Sequence, residues 1–232
     1  MTKYDTHLSI LKIEGNQAEI FIQGQVTQDV KAVTHNHPAY TAICNQKGRV
    51  IADGYLLKED AHWLIILHQT LIEKVHKRLS KYAQLSGCTV SEDARHCVGY
   101  ANDRYIKIAP NLSINLEQDP CPQKDNAWCE FEILNLIPRI EIRTSECFTP
   151  HMLEMDKKGA LSFSKGCYVG QEIVARTHYL GKNKRALTLI NRAIDASPGG
   201  RYDYQGKSCI LVSKTDHMAL AVCPKTSLGQ QN

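Results

Sequence analysis

No stretch of the sequence approaches the length an apolar segment needs to cross a bilayer. The most conspicuous run, Trp63-Leu64-Ile65-Ile66-Leu67, is far short of the roughly 20 residues required. An apolar leader is missing as well: Met1-Thr2-Lys3-Tyr4-Asp5-Thr6-His7 puts polar and acidic side chains where a secretory peptide carries its hydrophobic core. The expected location is the cytoplasm, with no membrane contact. No C-x-x-C pair occurs among the nine cysteines at positions 44, 88, 97, 121, 129, 147, 167, 209 and 223. That spacing suits neither a disulfide framework nor a zinc or iron–sulfur site. Reduced thiols packed as small hydrophobes are the expectation, with no metal held by the chain. A large excess of charge is also lacking. A formal net charge of +4, with 43% hydrophobic and 22% charged residues, excludes a disordered or strongly polyionic chain.

At 232 residues the chain has room for one large domain or for a domain with a smaller module. Apolar and polar residues alternate over 8–13 and again over 18–23, with Glu14-Gly15-Asn16 between them, which predicts an opening hairpin. Thr27 is placed to cap a helix beginning within 24–33. A second hairpin is expected from 40–44 and 50–57 around Asn45-Gln46-Lys47-Gly48-Arg49, followed by a strand over 62–68. The clearest helix is 70–85, where Thr70 and Glu73 suggest a capping box, Leu71, Val75, Leu79 and Tyr82 share a face, and Gly87 lies beyond the end. Short strands follow at 89–92, 97–102, 104–108 and 112–116, then a loop over 117–126. Three further strands, 185–191, 207–213 and 217–223, predict a small β module.

Between residues 157 and 185 seven basic residues (Lys157, Lys158, Lys165, Arg176, Lys182, Lys184 and Arg185) stand against a single acid, Glu172. An anionic partner is expected there, with Lys165, Arg176 and Lys184 on one groove. Weak nucleic-acid contact is one form of it, with Phe163, Tyr168 and Tyr179 available to stack on bases. Within this stretch lies K-G-C-Y-V-G-Q-E-I-V-A-R, 165–176. Its glycines open the backbone, and a helix can begin at Gln171, placing Cys167 just ahead of a helix N-terminus and beside Lys165. Both favour a thiolate, so Cys167 is the candidate functional thiol.

The run K-G-C-Y-V-G-Q-E at 165–172 closely resembles the signature of the YgfZ family, folate-binding relatives of the glycine-cleavage aminomethyltransferase. Gln23-Gly24-Gln25-Val26-Thr27-Gln28-Asp29-Val30 is similar to that family's N-terminal segment, and Asn45-Gln46-Lys47-Gly48-Arg49 to its N-x-K-G-R turn. Pro138-Arg139-Ile140, Thr149-Pro150 and Gly159-Ala160-Leu161-Ser162-Phe163 follow in the family's order. The similarity spans roughly residues 8–190.

The resemblance implies an α+β fold: a folate-binding region of the aminomethyltransferase type over 1–184 and a shortened C-terminal β-barrel-like module over 185–232. It implies tetrahydrofolate or a derivative as cofactor, with Trp128, Lys165, Tyr168, Gln171, Glu172 and Arg176 as binding residues. Leu8 replaces one aromatic of the family's pocket. Ile133-Leu134-Asn135-Leu136 replaces its I-E-A-G stretch, leaving Glu132 as the substitute carboxylate. The implied role is that of an accessory protein supporting iron–sulfur enzymes, including tRNA-modifying ones, through Cys167. The alternatives are a tetrahydrofolate-dependent aminomethyltransferase with Asp53 as its electrostatic group, and an RNA-binding module.

Overall fold

The computed structural model describes residues 2–34, 38–102, 105–121, 126–181 and 183–225. Its first elements are β1 (Tyr4–Asp5), β2 (Leu8–Glu14) and α1 (Ala18–Gln23). Here the predicted hairpin gives way to a strand followed by a helix. Ala18, Phe21 and Ile22 are the buried residues of α1, and their i, i+3, i+4 spacing is one helical face. Strand alternation would have buried Ile20, which is 72% exposed. No helix starts at Thr27 either. Its hydroxyl donates to the Ala160 carbonyl (2.7 Å) and accepts from the Ala42 amide (2.9 Å), and the only helical turn nearby is a 3-10 turn over Val30–Ala32, capped by Asp29.

β3 (Ala39–Cys44), β4 (Val50–Glu59) and β5 (His62–His68) form the expected meander. After a 3-10 turn comes α2 (Ile72–Ala83), burying Ile72, Val75, Leu79 and Ala83. The capping box does not form. Thr70 Oγ1 instead pairs with His68 Nδ1 (2.8 Å) and accepts from the Ile142 amide (3.1 Å). Gly87, at φ +64°, ends the 3-10 turn that follows α2. β6 (Thr89–Asp93), β7 (His96–Tyr100), β8 (Ile106–Ala109) and β9 (Leu112–Glu117) complete the strand-rich middle. The first residue predicted for β8, Arg104, and positions 122–125 of the predicted loop lie outside the described residues.

The strands assemble into a five-stranded sheet, β3-β4-β5-β2-β6, and a four-stranded sheet, β1-β7-β9-β8, with antiparallel neighbours throughout. Alternate side chains of the first sheet go to opposite layers. Leu11, Ile13, Ile65 and Leu67 join the larger core with α1 and α2, while Ile10, Leu64 and Ile66 meet Cys97 and Ile114 of the second sheet. Burial on both faces is why 63–67 reads as a continuous apolar run rather than an alternating one.

α3 (Ala127–Leu134) and α4 (Gln171–Tyr179) flank a long segment dominated by turns. Beyond them β10 (Arg185–Ile190), β11 (Arg201–Tyr204), β12 (Lys207–Lys214) and β13 (Ala219–Pro224) form an open sheet in the order β10-β13-β12-β11. β11 was not among the three predicted strands, because Arg-Tyr-Asp-Tyr buries neither face fully. Leu187, Val212, Leu220 and Val222 of this sheet enter the larger core. No sheet among the described residues closes into a barrel. The expectation of no disulfide is also corrected: Cys209 and Cys223, opposite one another on β12 and β13 with Cα atoms 4.3 Å apart, are bonded. Their register, not their sequence spacing, brings them together.

Candidate functional site

β4 carries Asp53 to the edge of a small cavity lined by Leu8, Tyr40, Asp53, His68, Glu132 and Arg139, among others. Both Asp53 oxygens are engaged, Oδ2 by the Tyr40 hydroxyl (2.6 Å) and Oδ1 by the Ile140 amide (2.9 Å). Burial pushes the Asp53 carboxyl up to about 6, against the opposing pull of those two hydrogen bonds. Glu132 projects from α3, where one oxygen accepts from the Trp128 indole (3.1 Å). Its other oxygen lies 3.4 Å from Arg139 Nη1. Neither of those two buried atoms has a hydrogen-bond partner. Burial raises the Glu132 carboxyl to about 7, with Arg139 working in the opposite direction. Burial, then Arg139 and His7, depress His68 to about 3, so it stands neutral.

Trp128 is fully buried behind Glu132, seated against Tyr4 and Phe131 and within the second core; it does not line the cavity. Leu8, where the family resemblance calls for an aromatic, does line it.

The motif segment lies elsewhere, where it is clamped from both sides. Lys165 Nζ donates to the carbonyls of Gln23, Val26 and Gln28 at 2.7, 2.7 and 2.8 Å. Burial lowers this ammonium to about 8, with Asp29 opposing. All three donors are occupied, so the expectation that Lys165 holds an anion is corrected: an ammonium has only three N–H groups. The same bonds deny it the predicted role at the thiol and remove it from the predicted groove. Tyr168 is buried, its ring under the Lys165 ammonium (5.2 Å), and so is withdrawn from base stacking. The Val169 amide donates to the Gly24 carbonyl. Gly170, at φ +85°, sits so close to Asn45 that an added Cβ would lie 2.4 Å from that residue's carbonyl oxygen. Between these anchors Cys167 is exposed. Gln171 Oε1 accepts from the Tyr168 amide (3.3 Å), while Glu172, Arg176 and Lys184 are exposed. Lys182, part of the basic stretch, lies outside the described residues.

Two groups therefore emerge from the predicted residues. Asp53 and Glu132 share the cavity, with Trp128 bonded behind Glu132, while Lys165, Cys167, Tyr168 and Gln171 form the motif loop. Sequence reasoning did not assign Tyr40, His68 and Arg139. Arg139 lay within a quoted motif, and Tyr40 sits thirteen positions before Asp53 across the β3–β4 turn, but neither spacing marks a cavity without the register.

The arrangement of sheets is that of the glycine-cleavage aminomethyltransferases. The glycine cleavage system aminomethyltransferase T of Bartonella henselae matches with a TM-score of 0.65 at 14% sequence identity, covering 96% of this chain and 78% of that one. No family model matches the sequence. Relatives by sequence include an uncharacterized protein of Haemophilus influenzae, 31% identical over 201 residues (80% of this chain, 71% of the relative). The tRNA-modifying protein YgfZ of Colwellia psychrerythraea is 27% identical (80% and 69%), and that of Escherichia coli 26% identical (86% and 74%). The chain belongs to the YgfZ family.

Proposed function

We propose that this chain is a folate-binding accessory protein of tRNA modification. On this reading tetrahydrofolate or a derivative binds over Asp53, Glu132 and Arg139, and Cys167 acts on client iron–sulfur enzymes in the cytoplasm. The observation that carries it is the buried pair of unpartnered atoms, Glu132 Oε2 and Arg139 Nη1, at the cavity. A carboxylate beside a guanidinium offers an acceptor and a donor in one plane, which suits the amino-pyrimidinone edge of a pterin. The donor set fits. The enclosed space, 10 Å3, is about that of one water, so the ring enters only when a lining side chain moves; Leu8 and Tyr40 are among those at the wall.

When bound, a reduced folate supplies a carrier of one-carbon units. The chain's own part is to fix the ring through Glu132 and Arg139 and to hold Cys167 in water. Asp53, with both oxygens engaged by its own fold, serves in this reading as a strut between β3, β4 and Ile140 rather than as a catalytic group. The division into a folate-binding region, 1–184, and a small β module, 185–232, belongs to the same proposal.

Calorimetric titration with tetrahydrofolate tests it. Glu132→Gln keeps the acceptor for the indole and removes the charge. Loss of one charge-assisted hydrogen bond, about 1.5–3 kcal/mol, weakens binding by roughly 10- to 100-fold. Unchanged affinity in the folded variant overturns the site. Cys167→Ser, in turn, leaves folate affinity intact and abolishes support of iron–sulfur-dependent tRNA modification in cells; full complementation refutes the thiol's role.

A second reading, nucleic-acid contact, is favoured by α2. Its outer face presents Lys74, Lys77, Arg78 and Lys81 with Tyr82, beside a groove of about 490 Å3 that reaches Lys47 and Val169 of the motif loop. Binding there falls steeply with salt, whereas folate binding does not.

A further inference from the structure

His151 is buried to 5% exposure, yet neither of its ring nitrogens has a hydrogen-bond partner. A neutral imidazole holds one donor and one acceptor, and leaving both unmet in the interior costs on the order of 1–3 kcal/mol for each. Two other side chains face the same spot. Asp156 comes from the turns that follow His151, and His178 from the last turn of α4. One donor atom of each of the three lies within 4.8 Å of the others. The two imidazole rings are 6.0 Å apart and tilted by 33°, and Phe163 stacks on His178 at 3.9 Å, fixing the plane of the exposed ring.

We propose that His151, Asp156 and His178 bind one divalent transition-metal ion. Donors at about 2.0–2.2 Å from a shared ion are at most about 4.4 Å apart. The observed group therefore closes through a side-chain shift of about half an ångström. Two imidazoles and a carboxylate select zinc and its first-row neighbours over magnesium or calcium, which prefer oxygen alone. The carboxylate is half-buried and His178 exposed, so a fourth position opens to water or to a ligand from outside. Three protein ligands with an open position mark a site able to bind a further group rather than one closed for structure alone. The ion also ties α4, the helix that follows Cys167, to the turns at 149–159. The nine cysteines play no part in it, and neither does the cavity at Asp53.

Cobalt(II) added to the reduced, full-length protein tests the assignment, because its visible spectrum reports the ligands. The expected result is one equivalent bound with a tetrahedral or five-coordinate spectrum and no thiolate charge-transfer band. Zinc, but not magnesium, displaces it. His178→Ala alters an exposed residue and preserves the fold, as does Asp156→Asn; each weakens cobalt binding by about tenfold or more. His151→Gln, the buried member, is checked by circular dichroism before titration. Failure to bind cobalt, binding that survives His178→Ala and Asp156→Asn at unchanged affinity, or a thiolate charge-transfer band each overturns the proposal.

Discussion

Glu132 shows what a single buried carboxyl implies for the whole chain. Its native form holds a proton to about pH 7, where the free side chain, at 4.5, has already released it. The native state thus binds more protons between those values, and stability from this group is lost as pH rises through the window. Glu132→Gln removes the titration. Urea unfolding from about pH 5 to about pH 7.5 should show the variant gaining on the wild type by on the order of 2–3 kcal/mol; a pH-independent difference would mean that Glu132 is ionised and solvated in the native state. His68 titrates in the opposite sense, which is why the difference between variant and wild type, and not the wild-type curve, is the measurement. At this scale the sequence was informative about residue type and poor about environment. The motif pointed to Cys167, which is exposed, but it could not reveal that Lys165, two positions earlier, faces three carbonyls. Trp128 was identified by spacing, and spacing does not report that the ring is sealed within a core.

Among the elements, those defined by their own local chemistry were legible. The β3–β4 hairpin around Gly48, the strand over 62–68 and the body of α2 are set by turn residues and by period, and each is found close to where it was expected. The first twenty residues after β2 were not, because Ala-Glu-Ile-Phe-Ile-Gln fits both a strand and a short helix, and only the core behind Phe21 and Ile22 decides. Thr27 misled for a related reason: its hydroxyl is satisfied by Ala42 and Ala160, partners that no local window contains. The junction between the β3–β4 turn and α4 depends on two glycines at positive φ, Gly48 and Gly170. Gly170→Ala meets the Asn45 carbonyl and a strained backbone together and should destabilise the protein by about 2 kcal/mol or more. Gly166→Ala, with no atom within 4 Å of the added carbon, should stay within about 0.5 kcal/mol. Denaturant midpoints of the two variants compare them directly, and equal midpoints would deny the junction its role.

For the molecule as a whole, the aminomethyltransferase-like architecture was readable only through resemblance, since periodicity yields strands but not the order in which they pair. The bond between Cys209 and Cys223 lay beyond reach for the same reason. It gives a countable outcome: the denatured, unreduced chain should titrate seven thiols and the reduced chain nine; nine in both would show the pair unbonded. The Lys165 clasp has a consequence in time. Its three acceptors precede it by 137, 139 and 142 residues. At about 5–20 residues per second of synthesis, the turn around Val26 therefore leaves the ribosome roughly 7 to 30 s before the side chain that closes it. Until then those carbonyls face water or a chaperone. The loop bearing Cys167 arrives together with the clasp, so a nascent chain displays its thiol only when the N-terminal turn is being locked.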